Sequence, residues 1–179
     1  ISDGTEDGTQ LLADIHPGGQ WAHVDDLARV GEHVWFAATD GVVGIEPWLT
    51  DGTPGGTRMV VDIHPDGNSD PSGFTRAGDR VVFAAVHPNL GRELWLSDGT
   101  GPGTVQANLA PGVGWSNPDH FTPLGDKAFF SASLSETGNE TWITDGTIEG
   151  TMLLADLAPG NYPAIQHSSS SPPGADRMV

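Results

Sequence analysis

The chain has no cysteine, one lysine (Lys127) and one tyrosine (Tyr162) among 179 residues. Without cysteine there is no thiolate nucleophile, no disulfide and no Cys-based zinc or iron–sulfur centre. Seven basic residues against 24 acidic ones leave a net charge of −17. So few cations cannot form the basic face that displaces counterions from phosphates, which excludes a nucleic-acid partner. No apolar run approaches the roughly 18 residues of a membrane span. Glycine and proline are plentiful, at 25 and 14. Together with the charge, they raise intrinsic disorder as a reading.

The apolar residues argue against disorder because they are concentrated. They form Val34-Trp35-Phe36-Ala37-Ala38, Val81-Val82-Phe83-Ala84-Ala85 and Ala128-Phe129-Phe130-Ser131-Ala132. Short runs of β-branched and aromatic residues between turn residues are strand signals. The string Asp-Gly-Thr-x-x-Gly-Thr starts at Asp3, Asp51, Asp98 and Asp145, so its copies lie 48, 47 and 47 residues apart. Glu-x-Trp precedes three of them, at Glu46, Glu93 and Glu140. Fixed spacing at this length is the mark of a tandem repeat. In the second copy we read strands over residues 58–63, 73–77, 80–86 and 92–97. A helix over residues 24–30 is disfavoured, because the matching segments contain Pro71 and Pro118.

Four strands in about 47 residues suit a β-propeller blade. The expectation is an all-β fold of propeller-type blades of four antiparallel strands. One repeat domain over residues 1–179 would hold almost four repeats, with incomplete first and last blades. It would be a segment of a longer array or a four-bladed ring. An open set of blades would complete itself by oligomerisation, by further repeats or by sharing a blade between its ends. In each blade both faces are apolar: Trp35, Val82 and Phe129 on one, Phe36, Phe83 and Phe130 on the other.

Glu93-Leu94-Trp95-Leu96-Ser97-Asp98-Gly99-Thr100 resembles the core of the bacterial ELWxxDGT repeat family. Glu46-Pro47-Trp48 and Glu140-Thr141-Trp142 depart from it at the leucine. The resemblance implies large secreted or surface proteins built of tandem copies, with no defined catalytic residues.

Residues outside the repeated pattern are the candidates for function. Trp21 and Trp115 each lie four residues after a repeat proline, in a Gly-rich loop, where the second copy has Ser69 and the fourth has Pro163 beside Tyr162. Loop aromatics such as Trp21, Trp115 and Tyr162 stack on sugar rings or fill partner pockets. Packing over their own loop is the alternative. Asp66, Asn68 and Asp70 match the start of a calcium loop, but Pro71 and Ala77 stand where glycine and glutamate belong. A solvated acidic loop is the competing reading. The Asp-Gly-Thr loops offer oxygen ligands too, although turn closure explains the same residues. Calcium is therefore a weak expectation. His16 and His64 share a repeat position with Ala110 and Ala158, which cannot ligate a metal. No nucleophile elbow is present. The expectation is a non-enzymatic, extracellular or cell-surface binding or adhesion module for a protein or polysaccharide. A propeller-borne polysaccharide hydrolase or lyase and a calcium-stabilised spacer are the alternatives.

Overall fold

The computed structural model describes residues 1–109 and 114–156. These residues form twelve strands and no helix, so none of them belongs to a helix long and apolar enough to cross a membrane. Three four-stranded antiparallel sheets follow one another along the chain. The first contains β1 (Asp25–Val30), β2 (His33–Ala38), β3 (Glu46–Thr50) and β4 (Arg58–Met59). The second contains β5 (Ser72–Ala77), β6 (Arg80–His87), β7 (Gly91–Ser97) and β8 (Val105–Ala107). The third contains β9 (Asp119–Leu124), β10 (Lys127–Leu134), β11 (Gly138–Thr144) and β12 (Met152–Ala155). Within every sheet the spatial order equals the sequence order.

One expectation needs correction. The strand after each Asp-Gly-Thr loop does not open a new sheet. Arg58–Met59 pairs with β3 behind it, Leu49 opposite Arg58. Each sheet therefore begins one strand later than the repeat read from the sequence. The strand is also shorter than expected, because Val60 N–H turns to the Pro47 carbonyl and Ile63 N–H to the Glu46 carboxylate. Residues 24–30 contain strand and no helix, as expected.

The tight turns between the first and second strands rest on Gly31, Gly78 and Gly125, at φ of 63°, 58° and 62°. A side chain is strained in that left-handed region, so glycine is selected there. The Asp-Gly-Thr loops close on themselves. In the second copy the Thr53 N–H and hydroxyl donate to Asp51 Oδ1 at 2.8 and 2.7 Å, and Gly56 N–H donates to Thr53 Oγ1 at 3.0 Å. The same bonds recur at Asp3, Asp98 and Asp145.

The sheets pack face against face with a constant polarity. Trp35 and Leu49 of the first sheet meet Phe74, Phe83 and Trp95 of the second. Val82, Leu94 and Leu96 on the second sheet's other face meet Phe130 and Trp142 of the third. Phe36, Ala38 and Trp48 lie on the opposite side of the first sheet, with Ile15 against them. Trp35 lies 5.8 Å from Phe74 and Phe74 5.1 Å from Phe83 between ring centroids. Such pairs add about 0.5–1.5 kcal/mol each beyond the area they bury. The first strands adjoin, β1 beside β5 and β5 beside β9. Asp26 Oδ2 accepts the Gly73 N–H at 2.6 Å, and these two residues hold the same repeat position. The starts of successive first strands therefore meet.

Glu46 and Glu93 are fully buried. Glu93 accepts the Ser116 N–H at 3.0 Å, the Ser116 hydroxyl at 2.6 Å and the Leu109 N–H at 3.3 Å. Glu46 does the same for Ile63 and Ser69. Burial nevertheless pushes both carboxyls above the ordinary 4.5. A folded-state value above the unfolded one stabilises the protein at low pH, and that stability is lost as pH rises above 4.5. The loop aspartates run the other way. Their threonine hydrogen bonds hold Asp51, Asp98 and Asp145 below 3.8, so that contribution disappears as pH falls through this range. A thermal melting series should therefore peak in mild acid. Glu93→Gln, which leaves a buried donor facing the Ser116 N–H, should cost about 1–3 kcal/mol in urea unfolding. It should also flatten the decline above the peak; an unchanged slope would contradict this account of Glu93.

Candidate binding site

The acidic and aromatic residues that recur in register are engaged inside the fold. Trp48, Trp95 and Trp142 are buried, Glu46 and Glu93 hold backbone N–H groups, and each loop aspartate closes its own turn. The exposed aromatic and acidic residues outside that repeated pattern include those in the loops that precede the first strands.

Trp21 is 80% exposed and Trp115 61% exposed. Trp21 sits 6.4 Å from the His23 ring, and its carbonyl lies 3.1 Å from His16 Nδ1. Trp115 lies over Gly91, where a Cβ would overlap the indole. The structure corrects the register of these tryptophans. Their counterpart in the second copy is Asn68, not Ser69. Ser69 and Ser116 are the matching pair, since each donates its N–H to the buried glutamate. Over Gly44, the counterpart of Gly91, lie the Gly67 carbonyl and behind it the Asn68 amide oxygen. Tyr162 lies outside the described residues.

Of the three calcium-loop candidates, Asp66 is exposed and makes no hydrogen bond given for the described residues. Asn68 Oδ1 accepts the Ile45 N–H at 3.0 Å. Asp70 adopts φ 43° and its carbonyl accepts from Arg92 at 2.9 Å. Among the described residues no group of three or more His, Asp or Glu side chains is placed to hold a metal ion.

Sequence reasoning missed the residues that gather around Asp70. His23, Asp70 and Asn117 occupy one repeat position, and all three have positive φ, at 48°, 43° and 43°. Histidine, aspartate and asparagine are the side chains that tolerate this region. Asp26 and His120 share a second such position with Gly73. These turns border a cavity of about 460 Å³ lined by His23, Asp25, Asp26, Asp70 and Ser72 together with the apolar Val24, Ala37, Ile45 and Pro71. Arg92 braces one wall, donating to the Asp70 carbonyl and, at 2.6 Å, to Ser72 Oγ. Burial lowers the Arg92 guanidinium from its ordinary value while Asp70, Asp119 and Asp26 pull it back up. It stays charged in any usable range of pH. A second cavity, of about 400 Å³, is lined by His16, Gln20, Trp21, His23 and Thr39. His23 lies on both, so the two cavities adjoin. The signal available in the sequence was the column of small polar residues at 23, 70 and 117, which alignment of the repeats exposes.

This arrangement can bind. An exposed indole offers a flat apolar face, and the neighbouring carboxylates and Ser72 offer hydrogen-bond acceptors. Neither cavity pairs a nucleophile with a base at hydrogen-bonding distance. Elsewhere among the described residues, His120 Nδ1 on the exposed part of β9 lies 3.1 Å from Ser131 Oγ and 3.8 Å from Asp119 Oδ2.

No protein-family model matches the chain, and no curated protein matches it. Two solved structures are similar to it. One comes from a structural and mechanistic analysis of two prolyl endopeptidases; it aligns with a TM-score of 0.48 at 15% identity over 72% of this chain. The other is Bacteroides ovatus xyloglucan PUL GH43B, with a TM-score of 0.38 at 16% identity over 71% of this chain. This chain spans 19% and 27% of those two proteins. Neither likeness bears on what the chain binds.

Arg92→Ala should loosen the turn at residues 70–72 by removing two charge-assisted hydrogen bonds. The expected loss is about 1–2 kcal/mol, read by denaturant unfolding. Amide exchange should quicken at residues 72–75 and stay constant in β10; uniform quickening would contradict a local bracing role.

Proposed function

We propose that the chain is a non-catalytic binding module whose three sheets are blades of a β-propeller-type repeat array. The observation that carries the binding role is the division of labour between columns. Repeated side chains build the scaffold, and unrepeated aromatic and acidic ones are exposed at the starts of the first strands. The ordered face-to-face packing and the adjoining first strands support the propeller-type arrangement. An extracellular or surface location follows from the resemblance of Glu93–Thr100 to secreted bacterial repeats, and suits a chain without cysteine that carries −17. The ligand in this reading is a polysaccharide, held at the loop tryptophans.

A glycan array tests it. Wild-type protein should give signal on a defined group of glycans, and Trp21→Ala should reduce that signal by about tenfold without changing the melting temperature. Trp115→Ala should have a smaller effect, because that indole also covers Gly91. Absence of signal across a broad array would overturn the polysaccharide reading.

A further inference from the structure

The two adjoining cavities differ in chemistry. The Trp21 side offers an exposed indole face beside the neutral amide of Gln20; the buried Thr39 hydroxyl there is engaged by the Val43 carbonyl and the Gly41 N–H. The other side offers three exposed carboxylates, Asp25, Asp26 and Asp70. One oxygen of each of two is occupied: Asp25 Oδ1 takes the Asp26 N–H and Asp26 Oδ2 the Gly73 N–H. Asp70 uses its backbone, not its carboxylate, to hold Arg92. Even with Arg92 nearby, the lining keeps a negative excess, within a chain of net charge −17. His23 joins the halves. A ligand that fills both must carry an apolar face, many hydroxyls and a positive charge. Aromatic faces attract cations as well as sugar rings, so both halves favour the same ligand.

We propose that the cleft from Trp21 across His23 to Asp25 and Asp70 binds an amino-sugar polysaccharide through its protonated amines. This rests on the binding-module reading above and narrows it to one class of glycan. The sugar ring stacks on Trp21. The ammonium groups lie against the Asp25 and Asp70 carboxylates, and ring hydroxyls meet Gln20 and Ser72. Uronate or sulfated polysaccharides are repelled by the same carboxylates.

The test is isothermal titration of the full chain, in mild acid, with four probes: hexamers of glucosamine, of N-acetylglucosamine and of galacturonate, the last of which should not bind, and an arginine-rich peptide. The glucosamine hexamer should bind tightest, at least about tenfold above the acetylated one, and its affinity should fall as salt rises. Asp70→Asn keeps a side chain suited to positive φ and removes one charge. It should weaken glucosamine binding about fivefold, as expected for an exposed charge pair, and leave the acetylated hexamer unaffected. Trp21→Ala should weaken both hexamers about tenfold. Equal affinity for the two hexamers, unmoved by Asp70→Asn, would overturn the amino-sugar assignment and leave the binding-module reading intact. Binding of an arginine-rich peptide with no binding of either hexamer would overturn it in favour of a protein partner. Silence of every probe, with signal on the array from other glycans, would also overturn it.

Discussion

The buried glutamate of each Glu-x-Trp strand is the contact on which the relation between neighbouring sheets depends. The chain must leave the last strand of one sheet and begin the first strand of the next. That passage has no strand partner of its own, and its N–H groups would be buried without acceptors. Glu46 takes those of Ile63 and Ser69, and Glu93 those of Leu109 and Ser116. A carboxylate brings two oxygens and about four acceptor sites to these donors, where a neutral amide brings one oxygen with two lone pairs. Its burial is costly, as the upward shift of both carboxyls records. The donors around it offset that cost. Because the glutamate is in one sheet and its donors lead into the next, this contact sets where the next sheet starts.

Aromatic packing then follows from that placement. With the passage fixed, Phe74 and Phe83 arrive against Trp35, and Phe121 of the third sheet arrives over Gly73 of the second. The interface has a direction, since one face of each sheet always meets the opposite face of its neighbour. On the far face of the third sheet the positions that match buried Val60 and Ala107 hold Leu154, which is exposed. The glutamate contact and the aromatic contacts are therefore different in kind. The first positions the sheets and the second supplies the apolar burial that holds them together.

The repeat made much of this readable. Register of the Asp-Gly-Thr loops, the buried tryptophans and the two-sided strands at 34–38, 81–85 and 128–132 all follow from residues that return every 47 or 48 positions. The boundary of a sheet did not. Arg58 and Met59 carry the same local pattern whether they pair backward or forward, and the choice is made by the Glu46 and Pro47 groups that capture the next residues. The tryptophan register failed for a related reason. Counting from the repeat proline ignores a one-residue difference in loop length, whereas Ser69 and Ser116 are matched by the glutamate they contact. Arg92 was invisible because its repeat position holds Ile45 and Asn139 elsewhere, and its role depends on where Asp70 and Ser72 fold back.

The composition of the cleft has a conformational part and a chemical part, and the two separate. The left-handed backbone at residues 23, 70 and 117 demands a small polar residue or glycine. Asparagine meets that demand at Asn117 as well as aspartate does at Asp70. The fold therefore accounts for polarity at these turns but not for charge. The negative charge at Asp70, with Asp25 beside it, is a choice the backbone leaves open. The same holds for Trp21, whose repeat position is filled in the second copy by the much smaller Asn68. Where a scaffold tolerates several residues and the chain places an exposed indole next to unengaged carboxylate oxygens, the remaining constraint comes from what the surface meets.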